Sequence, residues 1–260
     1  MENMNSLLEL MHLSIFFILS FIRIFSFFFF IPMFGEEFLN NKIRFFFSLS
    51  LGFSIFFIIP FHNQSFNFIL IIFLSLHELL IGFVLGFLIK LIFSISILSG
   101  EIISSQIGIS FANFFDFNAR MNISVITRFL NLFSLYIFLS LNGHLWIINI
   151  LIQSFYKIPI ELNIFNTKNF LKIVQFMSII FLKSMLLVQP IIIFMFTLMI
   201  TLAFLNRISP QISVFSIFFP MTVLSGCYLI YISIPIFNIF FEKVFFELFT
   251  NIQNHFLLLH

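Results

Sequence analysis

Apolar residues run along this chain in long unbroken blocks instead of alternating with polar ones. The first block extends from about Leu7 to Phe34 and is punctuated by Pro32 and Gly35. A polar loop from Gly35 to Arg44 follows, with Glu36, Glu37, Asn40, Asn41 and Lys42. The second block runs from Phe45 to Ile59 and stops at Pro60. The third, from about Phe68 to Ser99, exceeds the roughly 20 residues that a helix needs to cross a bilayer. Gly100 to Met121 has a different texture, with small and polar residues interleaved with Ile and Phe. The fourth block, about Ile123 to Leu151, is interrupted by Asn142, Gly143 and His144. The fifth, Phe170 to Leu205, is expected to divide at Lys183 and to kink at Pro190. The sixth, Ile212 to Phe241, is expected to break at Pro220, Gly226 and Pro235. From Phe241 onward the pattern turns amphipathic: Phe241, Phe245, Leu248, Ile252, Phe256 and Leu259 share one side, with Lys243, Glu247 and Asn254 opposite. Continuous runs of this kind predict helices, since the strands of a membrane barrel alternate every second residue. The expected fold is an all-α integral membrane protein with about six long, partly kinked or hairpin helices.

Composition removes the soluble alternative. The 260 residues are 61% hydrophobic and 8% charged, against roughly 25% charged in an ordinary globular protein. Phe alone contributes 48 residues. A water-soluble fold of this size has too little interior to hide that surface, so lipid, a partner protein or both must cover it. The start of the chain carries Glu2 and Glu9 and no basic region before the apolar run, so it is not expected to be a cleaved secretory signal. Basic residues divide almost evenly between alternate loops, which gives the positive-inside rule nothing to decide with.

Charge and motif chemistry exclude most functions. The net charge is +2 and the cations are scattered, so no nucleic-acid partner is expected. The single Cys227 excludes an internal disulfide and a cysteine-based zinc site, and reads as a small buried hydrophobe. His77-Glu78 begins a zinc-protease pattern, but Ile81 occupies the second ligand position. Phosphate-binding loops and nucleophile elbows are missing from the sequence, so neither catalysis nor a cofactor or metal is expected.

Two features inside the apolar blocks carry more information. Glu78, Gly82, Gly86, Lys90 and Ser94 recur every fourth residue, as do Gly100, Ser104, Gly108 and Ala112. Such ridges let another helix cross at close range, either within one bundle or between subunits of a ring. Arg23, Glu78 and Lys90 are ionisable groups within apolar runs, where a charge is costly and faces protein or a water path. Glu78 and Lys90 lie too far apart on one helix to pair, so their partners lie elsewhere. Lys90 and Lys183 can also snorkel toward an interface. The stretch Gln106 to Arg120, QIGISFANFFDFNAR, is either a polar-flanked loop or a re-entrant segment lining a pathway.

Four stretches together resemble the FliR family, the R subunit of the flagellar type III protein-export gate. They are RIFSFFFFIPMFGEE (Arg23 to Glu37), ELLIGFVLGF through GEIISSQIGISFANFFD (Glu78 to Asp116), LNGHLWIINILIQSFYKIP (Leu141 to Pro159) and LNRISPQISVFSIFFPMTVLSG (Leu205 to Gly226). They span nearly the whole chain in order. Asn40 and Phe117 stand where the family usually has proline. The resemblance implies one helical, pore-forming complex with several copies each of the gate's P and Q subunits. It implies a P-like part over residues 1–170 and a Q-like hairpin over 171–260. It also implies the B switch protein, the A export protein and the basal-body ring as partners in the bacterial inner membrane. By the same resemblance, Gly108, Ser110, Phe111, Ala112, Asn113, Phe114, Phe115 and Asp116 form a plug in the pore. An injectisome gate subunit and a six-span solute permease are the alternatives.

Overall fold

The computed structural model describes residues 2–31, 40–57, 68–109, 123–160, 167–208 and 214–256. Among these, seven α-helices and no strands are found: α1 (Glu2–Phe30), α2 (Asn41–Phe56), α3 (Phe68–Ile107), α4 (Val125–Ser140), α5 (Gly143–Lys157), α6 (Thr167–Ile208) and α7 (Val214–Asn251). A single π-type turn, Ile252–Phe256, closes the described chain. Four helices are long and apolar enough to cross a membrane, or five crossings if α4 and α5 count as one broken span. The chain is therefore an all-α membrane protein, as the block pattern requires.

Where helices end differs from the pattern in three places, and each has a physical cause. α3 does not stop at Ser99; it runs 40 residues to Ile107. The small polar residues there do not compete it away, because Ser105 turns its hydroxyl onto the carbonyl of Ile102, 2.8 Å away. α6 is not divided at Lys183. That ammonium bonds Glu247 at 2.7 Å, so the 42-residue helix carries the charge without interruption. α7 continues through Pro220, Gly226 and Pro235 for 38 residues. A proline removes one donor, but in an apolar surrounding no water replaces helical hydrogen bonds, so the helix persists around the gap.

The fourth block contains a true break. The amide of Asn142 bonds the carbonyl of Leu139 at 3.0 Å, and Asn142 itself sits at φ 55°. Asn tolerates this left-handed conformation, which ends α4 before Gly143 starts α5.

Two compact units emerge, each from separate stretches: Met1–Ile92 with Gly143–Val174 and Leu248–His260, and Phe93–Asn142 with Gln175–Glu247. In the first, α1 packs on α2 through phenylalanine rings, such as Phe21 on Phe45 at 5.4 Å and Phe28 on Phe47 at 5.4 Å. Leu19, Ile24 and Phe27 are fully buried there. In the second, Phe93, Phe138 and Phe245 meet pairwise at 5.1 to 5.6 Å and fix α3, α4 and α7 around one aromatic centre.

The amphipathic tail places Phe241, Phe245, Leu248 and Ile252 in the interior, each 1% exposed or less. Cys227 corrects the sequence reading, for it is exposed on α7. Hydrophobicity signals burial only in water; on a helix apolar all round it does not say which side faces inward.

Candidate functional site

The first unit is organised around a buried ion pair. Arg23 on α1 donates from Nε to Glu78 Oε2 at 2.5 Å and from Nη2 to Glu78 Oε1 at 2.9 Å, and both side chains are fully buried. The remaining donors reach the end of α5. Nη1 bonds the Ser154 carbonyl at 3.0 Å and its hydroxyl at 3.5 Å, and Nη2 bonds the Ile158 carbonyl at 3.0 Å. The Phe155 ring lies 4.2 Å beneath the guanidinium. All five N–H groups of the arginine are thereby engaged. A cation at a helix C-terminus also meets the negative end of the helix dipole. One side chain thus joins α1, α3 and α5, which explains how a charge is tolerated in this apolar interior.

Close helix approach makes the pair possible. A Cβ at Gly82 would collide with the carbonyl oxygen of Arg23, and one at Gly86 would lie 2.5 Å from the carbonyl oxygen of Phe27. The Ser26 hydroxyl donates to the Leu79 carbonyl at 2.8 Å across the same crossing. Glu78, Gly82 and Gly86 lie on one ridge of α3, and this ridge rests on α1. Lys90, the next step along, is exposed.

The second unit contains a junction at the far end of α3. A Cβ at Gly100 would collide with the backbone of Thr127. Beside it, Glu101 Oε1 accepts from the Thr127 hydroxyl at 2.8 Å and from the Ser124 amide at 3.4 Å. Ser124 caps α4 by accepting the Thr127 amide at 3.1 Å. A carboxylate at the start of α4 also meets the positive end of its dipole. Ser104 is fully buried, with no partner for its hydroxyl among the described residues. Beyond α3, Gly108 takes φ 92°, a left-handed turn that favours glycine. Ser110, Phe111, Ala112, Asn113, Phe114, Phe115 and Asp116 lie outside the described residues.

The partners of Arg23 were not readable from local sequence, because Glu78 is 55 positions away and Ser154 is 131. Glu101 and Thr127 were also missed as interacting groups. The available signal was the serine three residues before a threonine at the start of an apolar run, which marks a helix cap. Metal-binding clusters are absent among the described residues.

With this geometry in hand, comparison with known proteins is decisive. The family described as "Bacterial export proteins, family 1" matches residues 14–248. The chain belongs to this family. It is 39% identical over 237 residues to the flagellar biosynthetic protein FliR of Buchnera aphidicola subsp. Acyrthosiphon pisum (strain APS), covering 91% of this chain and 92% of that one. To FliR of Escherichia coli (strain K12) it is 38% identical over 177 residues, covering 68% of each chain. The surface presentation of antigens protein SpaR of Shigella sonnei is 27% identical over 240 residues, covering 89% of this chain and 91% of that one. The FliR-family chain is thus a membrane component of the flagellar protein-export apparatus, related to type III export proteins more broadly.

Proposed function

We propose that this chain is the R subunit of the flagellar type III export gate. With several copies each of the P and Q subunits it forms the channel that passes unfolded flagellar proteins across the inner membrane. The B switch protein and the A export protein are further partners within the basal body. Residues 1–170 form the P-like part and 171–260 the Q-like hairpin. The role is non-enzymatic: substrates move on the proton-motive force and a separate ATPase. The segment from Gly108 to Asp116 is the plug, where Phe111, Phe114 and Phe115 dewet a constriction. The carrying observation is similarity to FliR proteins over nearly the whole length. Local geometry supports the plug assignment. The chain leaves α3 through a glycine in a left-handed turn and re-enters at Ser124, which Glu101 holds. The higher identity to FliR than to SpaR favours a flagellar gate over an injectisome.

The test is secretion. In flagellated cells lacking their own R subunit, this chain, supplied with its P and Q partners, should restore flagellar hook protein in the medium. Secretion no higher than in the deletion strain, from cells that contain the assembled complex, would reject the proposal.

A further inference from the structure

The end of α3 is held from two sides within the second unit. A Cβ at Gly100 would collide with the backbone of Thr127 on α4, and one at Gly226 on α7 would lie 2.5 Å from the Ile107 side chain. Contact of this kind sets how near two helices come, but it carries little direction along their axes. Direction comes from Glu101. Its Oε1 accepts from the Thr127 hydroxyl at 2.8 Å and from the Ser124 amide at 3.4 Å, so one oxygen of α3 holds both ends of the first turn of α4.

The hydroxyls around this carboxylate form a directed chain. A carboxylate oxygen only accepts, so Thr127 donates to Glu101. The 2.7 Å contact between the Ser124 and Thr127 hydroxyls then runs from Ser124 as donor to Thr127 as acceptor. Ser124 closes the turn by accepting the Thr127 amide at 3.1 Å. Bonds aligned in series toward a charged acceptor strengthen one another, and the positive end of the α4 dipole acts in the same direction. Capping alone needs only Ser124. The carboxylate comes from a different helix and is surplus to the cap, so its distinct contribution is to tie the start of α4 to α3.

Gly100 and Glu101 on one side, Ser124 and Thr127 on the other, flank the connection between α3 and α4. We propose that Glu101 is a positioning residue of the gate: through Thr127 and Ser124 it fixes the end of α3 against the start of α4, and the seal depends on that hydrogen-bond chain. The proposal rests on the reading of Gly108 to Asp116 as the plug. What matters chemically is an acceptor oxygen at this place more than its charge. Glutamine keeps that oxygen, whereas leucine leaves the Thr127 hydroxyl and the Ser124 amide without it in a part-buried site.

The test is planar-bilayer conductance of the complex with the P and Q subunits proposed as partners, comparing Glu101→Leu, Thr127→Val, Glu101→Gln and deletion of Ser110 to Phe115. Loss of a bond to a charged acceptor should raise the ion leak by about tenfold in Glu101→Leu. Thr127→Val keeps nearly the same volume against Gly100, removes the hydroxyl and should leak comparably, which keeps the test decisive if Glu101→Leu assembles poorly. The double variant should leak no more than Glu101→Leu, since both changes break one chain. Glu101→Gln should recover most of the seal. Spin labels at the exposed positions Ser105 and Arg128, in a Cys227→Ser background, give an independent readout. Their distance distribution should be narrow in the unsubstituted complex and in Glu101→Gln, and broader in Glu101→Leu and Thr127→Val. A leak on deletion with none from Glu101→Leu or Thr127→Val, in complexes of unchanged composition, would overturn the positioning role alone. A silent deletion would reject the plug reading and the proposal with it, even where the label distances broaden. A Glu101→Gln complex as leaky as Glu101→Leu, or label distances unchanged by either disruptive variant, would overturn the hydrogen-bond account.

Discussion

Replacing Glu78 by leucine should unfold the first unit at a markedly lower temperature. The substitution removes both carboxylate oxygens, leaving Nε and one N–H of Nη2 on Arg23 without acceptors. The guanidinium remains fully buried, held only by the Ser154 and Ile158 groups and the Phe155 ring. Breaking one partner of a buried pair costs about 3–5 kcal/mol, since the remaining charge is uncompensated. At about 2–4 °C per kcal/mol for a chain of this size class, the midpoint should fall by roughly 6–20 °C. Glu78→Gln keeps one acceptor and should lose about half as much. The double variant Arg23→Met with Glu78→Leu removes both charges and should recover part of the loss. Recovery stays incomplete because the Ile158 carbonyl loses its arginine donor. Trp146 is the single tryptophan and packs on Phe249 at 5.5 Å in the same unit, so its fluorescence reports the transition directly in mild detergent. A loss under about 1 kcal/mol for Glu78→Leu, or a double variant as damaged as the sum of the singles, would refute the role given to the pair.

The glycines should rank by what their missing Cβ would touch. Gly52→Ala meets only Ile24 and Phe21 side-chain atoms at 3.7 and 3.8 Å and should be neutral or mildly stabilising, by up to about 1 kcal/mol. Gly226→Ala presses on the Ile107 side chain at 2.5 Å, whose end can rotate away, and should cost less than Gly82→Ala or Gly86→Ala. Those two meet the α1 backbone and should cost about 1–3 kcal/mol each, measured by the same thermal transition; a reversed order would contradict the crossing described. Lys183→Met should change stability by less than about 1 kcal/mol, because its partner Glu247 is half exposed and the pair is screened in water. A loss of several kcal/mol there, in the same detergent, would contradict the screened, half-exposed pair described.

How far the sequence could be read depended on whether the signal was local. Helicity was plain because every apolar block exceeds what a strand requires. Arg23 stood out because a charge deep in such a block needs a partner. Its partner was hidden, since nothing in the neighbourhood of position 23 points to position 78 or 154. The spacing of Gly82 and Gly86 announced close contact but not its object, which is the α1 backbone. Helix ends were the weakest reading. Pro220 breaks a helix in water, where the backbone has other partners, and fails to do so in an apolar setting, while Lys183 interrupts the apolar run without opposing the helix, since lysine is a good helix former. Cys227 shows the same limit, because residues facing inward and outward on α7 share one composition. Arg44 was read as part of a polar loop; its burial under Phe29 depends on the α1–α2 packing that only the fold supplies.

The central claim, that this chain contributes to a sealed protein-conducting channel, is tested most directly by planar-bilayer conductance of its complex with the P and Q subunits proposed as partners. The intact complex should be nearly silent. Deletion of Ser110 to Phe115, in a complex of unchanged composition, should open a steady ion leak, and Asp116→Ala should open a smaller one. Equal conductance from intact and deleted complexes of the same assembly would contradict the account.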